Sequence, residues 1–469
     1  MPDSLRHIRA QQHIEREEYV PAWITISELL NENPEDPKAL YLAGCILRGQ
    51  GHTGMALQMF RRSLSITEDA GTRIPNIWMH YGACLHDTNQ YEQAREAFKL
   101  VVDMLPDDPM PVANIGATYV QQGRAKEALE WADKALAVDP DHRIARIAKA
   151  FGCLSLGMWH EGWKYADALY GEAIRIRVYR EPDNEEPVWD GSPGKTVVVQ
   201  ADQGLGEMLM FSQILPQMQK DCKKVIVETN ERLVNVFKRN FKGLDVYGTL
   251  NQKGLEWPRK YDIDAHTHMS WLGRFYRNSD EDFPRKAYLV PHETKARKWR
   301  KWLEQFPRPW VGLAWRGGIQ RTNEYVRSLS LNQLAPIIQR GGTFISLAYQ
   351  SVGREIAQWN IKHREQIHVP DIDNSGDFDE WIALISQLDH TISVLTTVLH
   401  VCGALGKRCS VLVPTVCQWQ HAYGGREMLW YSPNTIRNYR QTNEGEWDSV
   451  IAEVAGDYET FVLPLAKAA

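Results

Sequence analysis

No run in the 469-residue sequence approaches the roughly 18 apolar residues that cross a bilayer. The opening stretch MPDSLRHIRAQQHIEREEYV has no apolar signal core, which leaves the expectation of a cytoplasmic protein without a membrane span of its own. Cysteine is sparse: seven, an odd number, with no C-x-x-C pair, so a disulfide framework is not expected. Cys45, Cys84 and Cys153 fall in apolar helical patterns and read as buried free thiols of a reducing compartment. D-x-D, H-E-x-x-H and clustered Cys/His sets are missing, so no catalytic metal is expected. The G-x-S-x-G elbow of a serine nucleophile is missing too. There is no P-loop, and GLGEML (204–209) lacks the third glycine of a dinucleotide fingerprint. A net charge of −5 argues against a surface coated for nucleic acid. A local basic run (Arg285, Lys286, Lys295, Arg297, Lys298, Arg300 and Lys301 against Glu293) reads as the solvated face of a linker helix. Its other use would be to approach a phosphorylated acceptor or modified bases in DNA.

What is present begins with a repeat. YLAGCILRGQGHTGMALQMF, MHYGACLHDTNQYEQAREAF and ANIGATYVQQGRAKEALEWA share a small residue at Gly44, Gly82 and Gly116 and an alanine twelve positions later at Ala56, Ala94 and Ala128. An earlier unit shows Ala10, Ala22 and Pro34, a later one Gly152, and Pro106 and Pro140 close the second helices of their units. Ala10, Gly44, Gly82, Gly116 and Gly152 lie 34, 38, 34 and 36 residues apart, the tetratricopeptide (TPR) period. Small residues let paired helices approach, and stacked units bury one continuous core. Such a solenoid offers a groove to a peptide or another chain. Equally, it can act as a spacer or join copies of the chain as a homo-oligomer.

The array is expected over 1–175 and the proline-bearing EPDNEEPVWDGSPGK lies in a linker over 176–195. Short β-rich runs then alternate with helical ones. TVVVQ and KVIVE are the clear strands of a first half (196–290), with LDVYG and YDIDA weaker; WVGLAW, TFISLAY, HTISV and CSVLVP belong to a second (291–469). Alternation of this kind implies parallel sheets, which bind ligands at the carboxyl ends of their strands. Glu207, past TVVVQ and the glycines Gly204 and Gly206, stands at such an end. Seventeen tryptophans, many after residue 250, suit a core or the wall of a carbohydrate or nucleotide cleft.

DQGLGEMLMFSQILP, PWVGLAWRGG, RSLSLNQLAPII, FISLAYQ, HTISVLTTVLHVCGALGK and WYSPNTIRNYRQTNEGEW occur in the same order as in TPR-containing glycosyltransferases. Across essentially its whole length the chain resembles the heptosyltransferase-like family and, more distantly, the protein O-GlcNAc transferases. The resemblance implies a GT-B fold, two Rossmann-like halves facing across a cleft, and inverting, metal-independent transfer of a sugar. A nucleotide-sugar is then the co-substrate, held by the C-terminal half, with no further cofactor. The acceptor would be a protein or glycan, DNA being the less favoured alternative. Inverting transfer needs a base for the acceptor proton and cations or helix N-termini for the departing diphosphate. The family carries an acid after its G-x-G turn, and Glu207 matches it as candidate base, with Asp202 next in line; otherwise Glu207 is a helix-start acid favoured by the macrodipole. Arg316 in WRGG and Arg327 in RSLSL are candidates for the diphosphate or for surface ion pairs. Thr396 and Thr397 open a helix where free N–H groups bind anions. His400 matches the family's donor-facing histidine, with a core or capping role as the rival. The sequence departs from the pattern at Leu395, where Asp is usual, and at Trp419, His421 and Trp430, which are candidate cleft residues only. Those departures keep open a TPR scaffold whose transferase half has decayed.

Overall fold

The computed structural model describes residues 3–170, 187–201, 204–250, 252, 255–318, 324–349, 351–373, 376, 378–423 and 425–467. The chain divides into two compact units, Met1–Leu156 and Gly157–Ala469.

Among the described residues the first unit is a run of helices: α1 (Asp3–Glu15), α2 (Tyr19–Glu32), α3 (Pro37–Gly49), α4 (Thr53–Asp69), α5 (Pro75–Asp87), α6 (Tyr91–Met104), α7 (Pro109–Gln121), α8 (Ala125–Val138) and α9 (Arg143–Ser155). The repeated small residues do the work expected of them. A Cβ at Gly44 would sit 2.6 Å from the Phe60 ring, and one at Gly82 would sit 2.7 Å from Phe98, so the paired helices meet ring against backbone. Ala10, Ala22, Ala56, Ala94 and Ala128 are fully buried at the matching positions. Each turn within a pair carries one residue in the left-handed region: Glu17, Gly51, Asn89 and Gly123. Asp36 and Asp108 cap α3 and α7 through their carboxylates, with Pro37 and Pro109 at the first helical position, where no N–H is needed. Pro34, Pro106 and Pro140 lie just past the ends of α2, α6 and α8.

The second unit holds two parallel sheets. The first has the order β3-β2-β1-β4, from β1 (Thr196–Gln200), β2 (Lys224–Glu228), β3 (Asp245–Tyr247) and β4 (Ala265–His268). The second has the order β10-β9-β8-β5-β6-β7, from β5 (Trp310–Ala314), β6 (Thr343–Ser346), β7 (Ile367–His368), β8 (His390–Val394), β9 (Cys409–Val413) and β10 (Ile436–Arg440). Both follow the doubly wound pattern, with the order reversing between β1 and β4 and between β5 and β8. YDIDA is not the fourth strand; the strand is the polar run AHTH that follows it, all four residues buried. Asp264 instead accepts from the Thr196 amide at 2.7 Å. The tryptophans of the helix Trp159–Lys164, expected within the repeat array, pack in the second unit: Trp163 donates to the Arg277 carbonyl at 2.6 Å. Residues 176–186 of the linker lie outside the described residues.

Candidate functional site

The turn after β1 leads through Gly204 into the helix Leu205–Ser212, and the turn after β8 leads through Leu395 and Thr396 into the helix Thr397–Leu405. These two helices pack on each other. The contact is made at Gly206, where a Cβ would fall 2.7 Å from His400 Cδ2 and 3.5 Å from the Thr397 Cα. Neither Gly204 nor Gly206 has a positive φ. Glycine is therefore required at 206 for the approach of the second half rather than for a left-handed turn. Glu207 stands in the first turn of its helix, half-buried, with its Oε2 3.1 Å from where a Gly204 Cβ would be. Asp202 lies outside the described residues.

Tyr288, in the segment joining the halves, ties the two helices together. Its N–H donates to the Ala404 carbonyl at 2.9 Å and its hydroxyl to the Leu209 carbonyl at 2.5 Å. His400 shares a 2.8 Å hydrogen bond between Nδ1 and the Tyr431 hydroxyl. Burial pushes the His400 pKa down to about 3, so the ring is neutral at working pH. His421 is held well below the ordinary value by burial and by the nearby His400, Arg440 and Arg327. Thr396 caps its helix by accepting from the Val398 amide at 3.2 Å and shares a 3.1 Å bond with Ser393.

Trp419 and Trp430 are not cleft residues. They are 5% and 1% exposed and sit in an aromatic cluster, Trp419 edge-on to Trp163 at 5.5 Å and Trp430 edge-on to Phe211 at 5.2 Å. His421 is buried as well, at 2%. The tryptophans read from sequence as cleft candidates serve the core, because four neighbouring rings (Trp159, Trp163, Phe211 and Phe283) close over them.

WRGG and RSLSL come together after β5. The Leu329 amide donates to the Trp315 carbonyl at 2.9 Å, and Gly317 N–H to Ser328 Oγ at 3.0 Å. Arg316 is engaged there by a carboxylate, its Nη2 donating to Glu355 Oε2 at 2.8 Å. Burial disfavours charge on Glu355, but hydrogen bonds from Arg316, the Leu331 amide and Trp315 hold its pKa below the usual carboxylate range. Arg327 ends the short helix Glu324–Arg327, and burial lowers its pKa.

A cavity of about 450 Å³ opens where the two halves meet. From the second half it is lined by Thr396, Thr397 and Val398 at the helix start and by Leu347, Tyr349, Phe378 and Trp381; from the first, by Leu205 and Arg232. It therefore lies at the carboxyl ends of β6 and β8, beside the reversal of strand order; of the candidate residues its lining brings together Thr396 and Thr397 but not Glu207, Arg316, Arg327 or His400. Arg232, Tyr349, Phe378 and Trp381 were not singled out by sequence reasoning. Arg232 sits in a single-turn helix after β2 (Glu231–Leu233) that carries no motif. Among the described residues no group of three or more His, Cys, Asp or Glu is placed to hold a metal ion, and no helix is long and apolar enough to cross a membrane.

Models of the tetratricopeptide repeat match residues 37–69 and 85–151, over α3–α4 and from α5 to α9. The first unit carries tetratricopeptide repeats. Among curated proteins, Protein FlbA of Caulobacter vibrioides is 24% identical over 445 residues, covering 90% of this chain and 72% of that one. The DnaJ homolog subfamily C member 7 homolog of Schizosaccharomyces pombe is 25% identical over 173 residues, 34% of this chain and 36% of its own. Solved structures similar to part of the chain include MamA from Desulfovibrio magneticus, at 20% identity and a TM-score of 0.31 over 37% of this chain and 97% of that one. YrrB, described as a TPR protein with an unusual peptide-binding site, aligns at 18% identity and a TM-score of 0.30 over 34% of this chain and 81% of its own.

Proposed function

We propose that the second unit is a GT-B glycosyltransferase, inverting and metal-independent, that moves a sugar from a nucleotide-sugar to a hydroxyl acceptor. The repeats recruit that acceptor, a protein or a protein-borne glycan. The observation that carries this reading is the cavity at the meeting of two strand–turn–helix corners. One corner supplies the start of the helix Thr397–Leu405 to its lining for an anion; the other supplies Leu205, with Glu207 two residues on in the first turn of the same helix, outside the lining itself. Glu207 takes the proton from the attacking hydroxyl, while the start of the helix Thr397–Leu405 in the second half faces the departing diphosphate. The seven cysteines form no disulfide, which suits a reducing compartment, and we place the reaction in the cytoplasm.

A second reading has one specific observation in its favour. Arg316, the motif arginine, is engaged by Glu355, as it would be in a scaffold whose donor site has decayed, and Leu395 replaces the usual acid. A panel of nucleotide-sugars in a thermal-shift assay separates the two. A ligand of the folded state stabilises it by about 2.7 kcal/mol at a hundred times its dissociation constant. A rise in melting temperature with at least one donor supports the transferase. No rise with any donor leaves the scaffold.

A further inference from the structure

We infer that Arg232, delivered from the first half, is the cation that grips the diphosphate of a nucleoside diphosphate in the cavity, the place the motif assigns to Arg316. The inference rests on the donor-site reading above and names the group that makes the site selective for charge. Arg316 is committed elsewhere: both its Nε and Nη2 reach Glu355 Oε2, at 3.3 and 2.8 Å. Arg316 is not among the residues lining the cavity, whereas Arg232 is.

The local structure fixes Arg232 at the mouth. Asn230 accepts from the Arg232 amide at 3.0 Å and so caps the single turn that presents the side chain. Nε donates to the Gly376 carbonyl of the other half at 3.1 Å, and the guanidinium carbon stands 5.4 Å from the centre of the Phe378 ring. Among the described residues no ion pair uses Arg232 and no hydrogen bond uses the two terminal nitrogens of its fork, the atoms assigned to the ligand. Burial lowers its pKa while Asp373 favours the charge, so the guanidinium has given up part of its hydration and an anion would restore it. Across the cavity the first turn of the helix Thr397–Leu405 offers amides with no partner inside the helix. Phe378, Trp381 and Tyr349 form aromatic walls that suit a flat base. A cation facing a helix N-terminus, with aromatic walls between, fits a nucleoside diphosphate better than an uncharged sugar. Because Arg232 belongs to the first half and its partners to the second, the same bond ties the halves together around the ligand.

The test is calorimetric titration of the full chain with UDP, GDP, ADP, CDP and dTDP, each beside its own nucleoside, for wild type, Arg232→Gln, Arg232→Lys and Arg316→Ala. In Arg232→Gln the affinity for the diphosphate that binds best should fall about ten- to a hundredfold, the range of a lost charged hydrogen bond, while that for its nucleoside stays within about twofold. Arg232→Lys keeps the charge and should stay within about fivefold of wild type, and Arg316→Ala should cost less than Arg232→Gln. Unchanged diphosphate affinity in Arg232→Gln overturns the inference and leaves the donor site standing. An equal fall for diphosphate and nucleoside also overturns it, since that marks a mere structural tie between the halves. Should Arg232→Gln not fold, a tenfold or greater loss in Arg232→Lys, with its charge intact, overturns it. If none of the five diphosphates binds wild type, the donor-site reading fails and this inference with it.

Discussion

At the scale of single residues, burial displaces the ordinary behaviour of three histidines, of which His400 belongs to the candidate site. His400 is pushed down to about 3, and His266 and His390 to about 4, each by loss of solvent around the charged ring. The unfolded chain takes up a proton on each of them near pH 6.5, whereas the folded chain refuses it until pH 3 to 4. Their contribution to stability is therefore complete above pH 6.5 and is lost as the pH falls through that window, by about 1.4 kcal/mol per unit for each ring. The melting temperature of the second unit should drop steeply from pH 6.5 to 4.5, and a flat profile would mean the rings are charged in the folded state. Gly206 gives a second prediction. Alanine there must push into His400, so Gly206→Ala should cost about 1–3 kcal/mol of stability. Gly204→Ala meets only the flexible end of Glu207 and should cost less, as thermal melting of the two variants can show. In the sequence both glycines look like one turn motif. The difference between them lies in what the other half brings against the backbone, and no local pattern carries that.

Elements were legible where a period enforced them. The repeats could be read because Gly44, Gly82 and Gly116 recur with an alanine twelve positions after each, and the helix pairs are where that spacing puts them. Strands buried on both faces, such as TVVVQ and CSVLV, were legible as apolar β-branched runs. β4, β7 and β10 were not, for physical reasons. β4 is AHTH, whose polar side chains are buried, and YDIDA before it has the better alternation. β10, IRNYR, is rich in polar groups, and β7 is two residues long. The same substitution tests the repeat packing at two places. Gly82→Ala drives a methyl into Phe98 and should destabilise the array by about 1–3 kcal/mol. Gly54→Ala, in α4 with open space around it, should be neutral or stabilise by up to about 1 kcal/mol through helix propensity. Equal effects in urea titrations would show that the glycines are not the contact points of the helix pairs.

For the whole molecule, the unit boundary between Leu156 and Gly157 decides where the chain can be cut. Removing residues 1–156 leaves Trp159 and Trp163 in the aromatic cluster. Removing 1–165 takes both away, and the loss of a buried tryptophan costs about 3–5 kcal/mol. The shorter truncation should keep donor binding and lose transfer to the true acceptor, and the longer should melt markedly lower. Matching melting temperatures for the two would place those tryptophans outside the core. The measurement that bears most directly on the proposed chemistry is turnover. It is the release of nucleoside diphosphate from the donor in the presence of acceptor and EDTA, by wild type and by Glu207→Gln. The variant keeps the shape and hydrogen-bonding reach of the side chain but not its basicity. Wild-type turnover should be unaffected by the chelator, and that of Glu207→Gln should fall by about 10² to 10⁴ with donor affinity barely changed. Near-normal turnover in Glu207→Gln would contradict the account, leaving Glu207 as a helix-start carboxylate that contributes at most about 1 kcal/mol of stability.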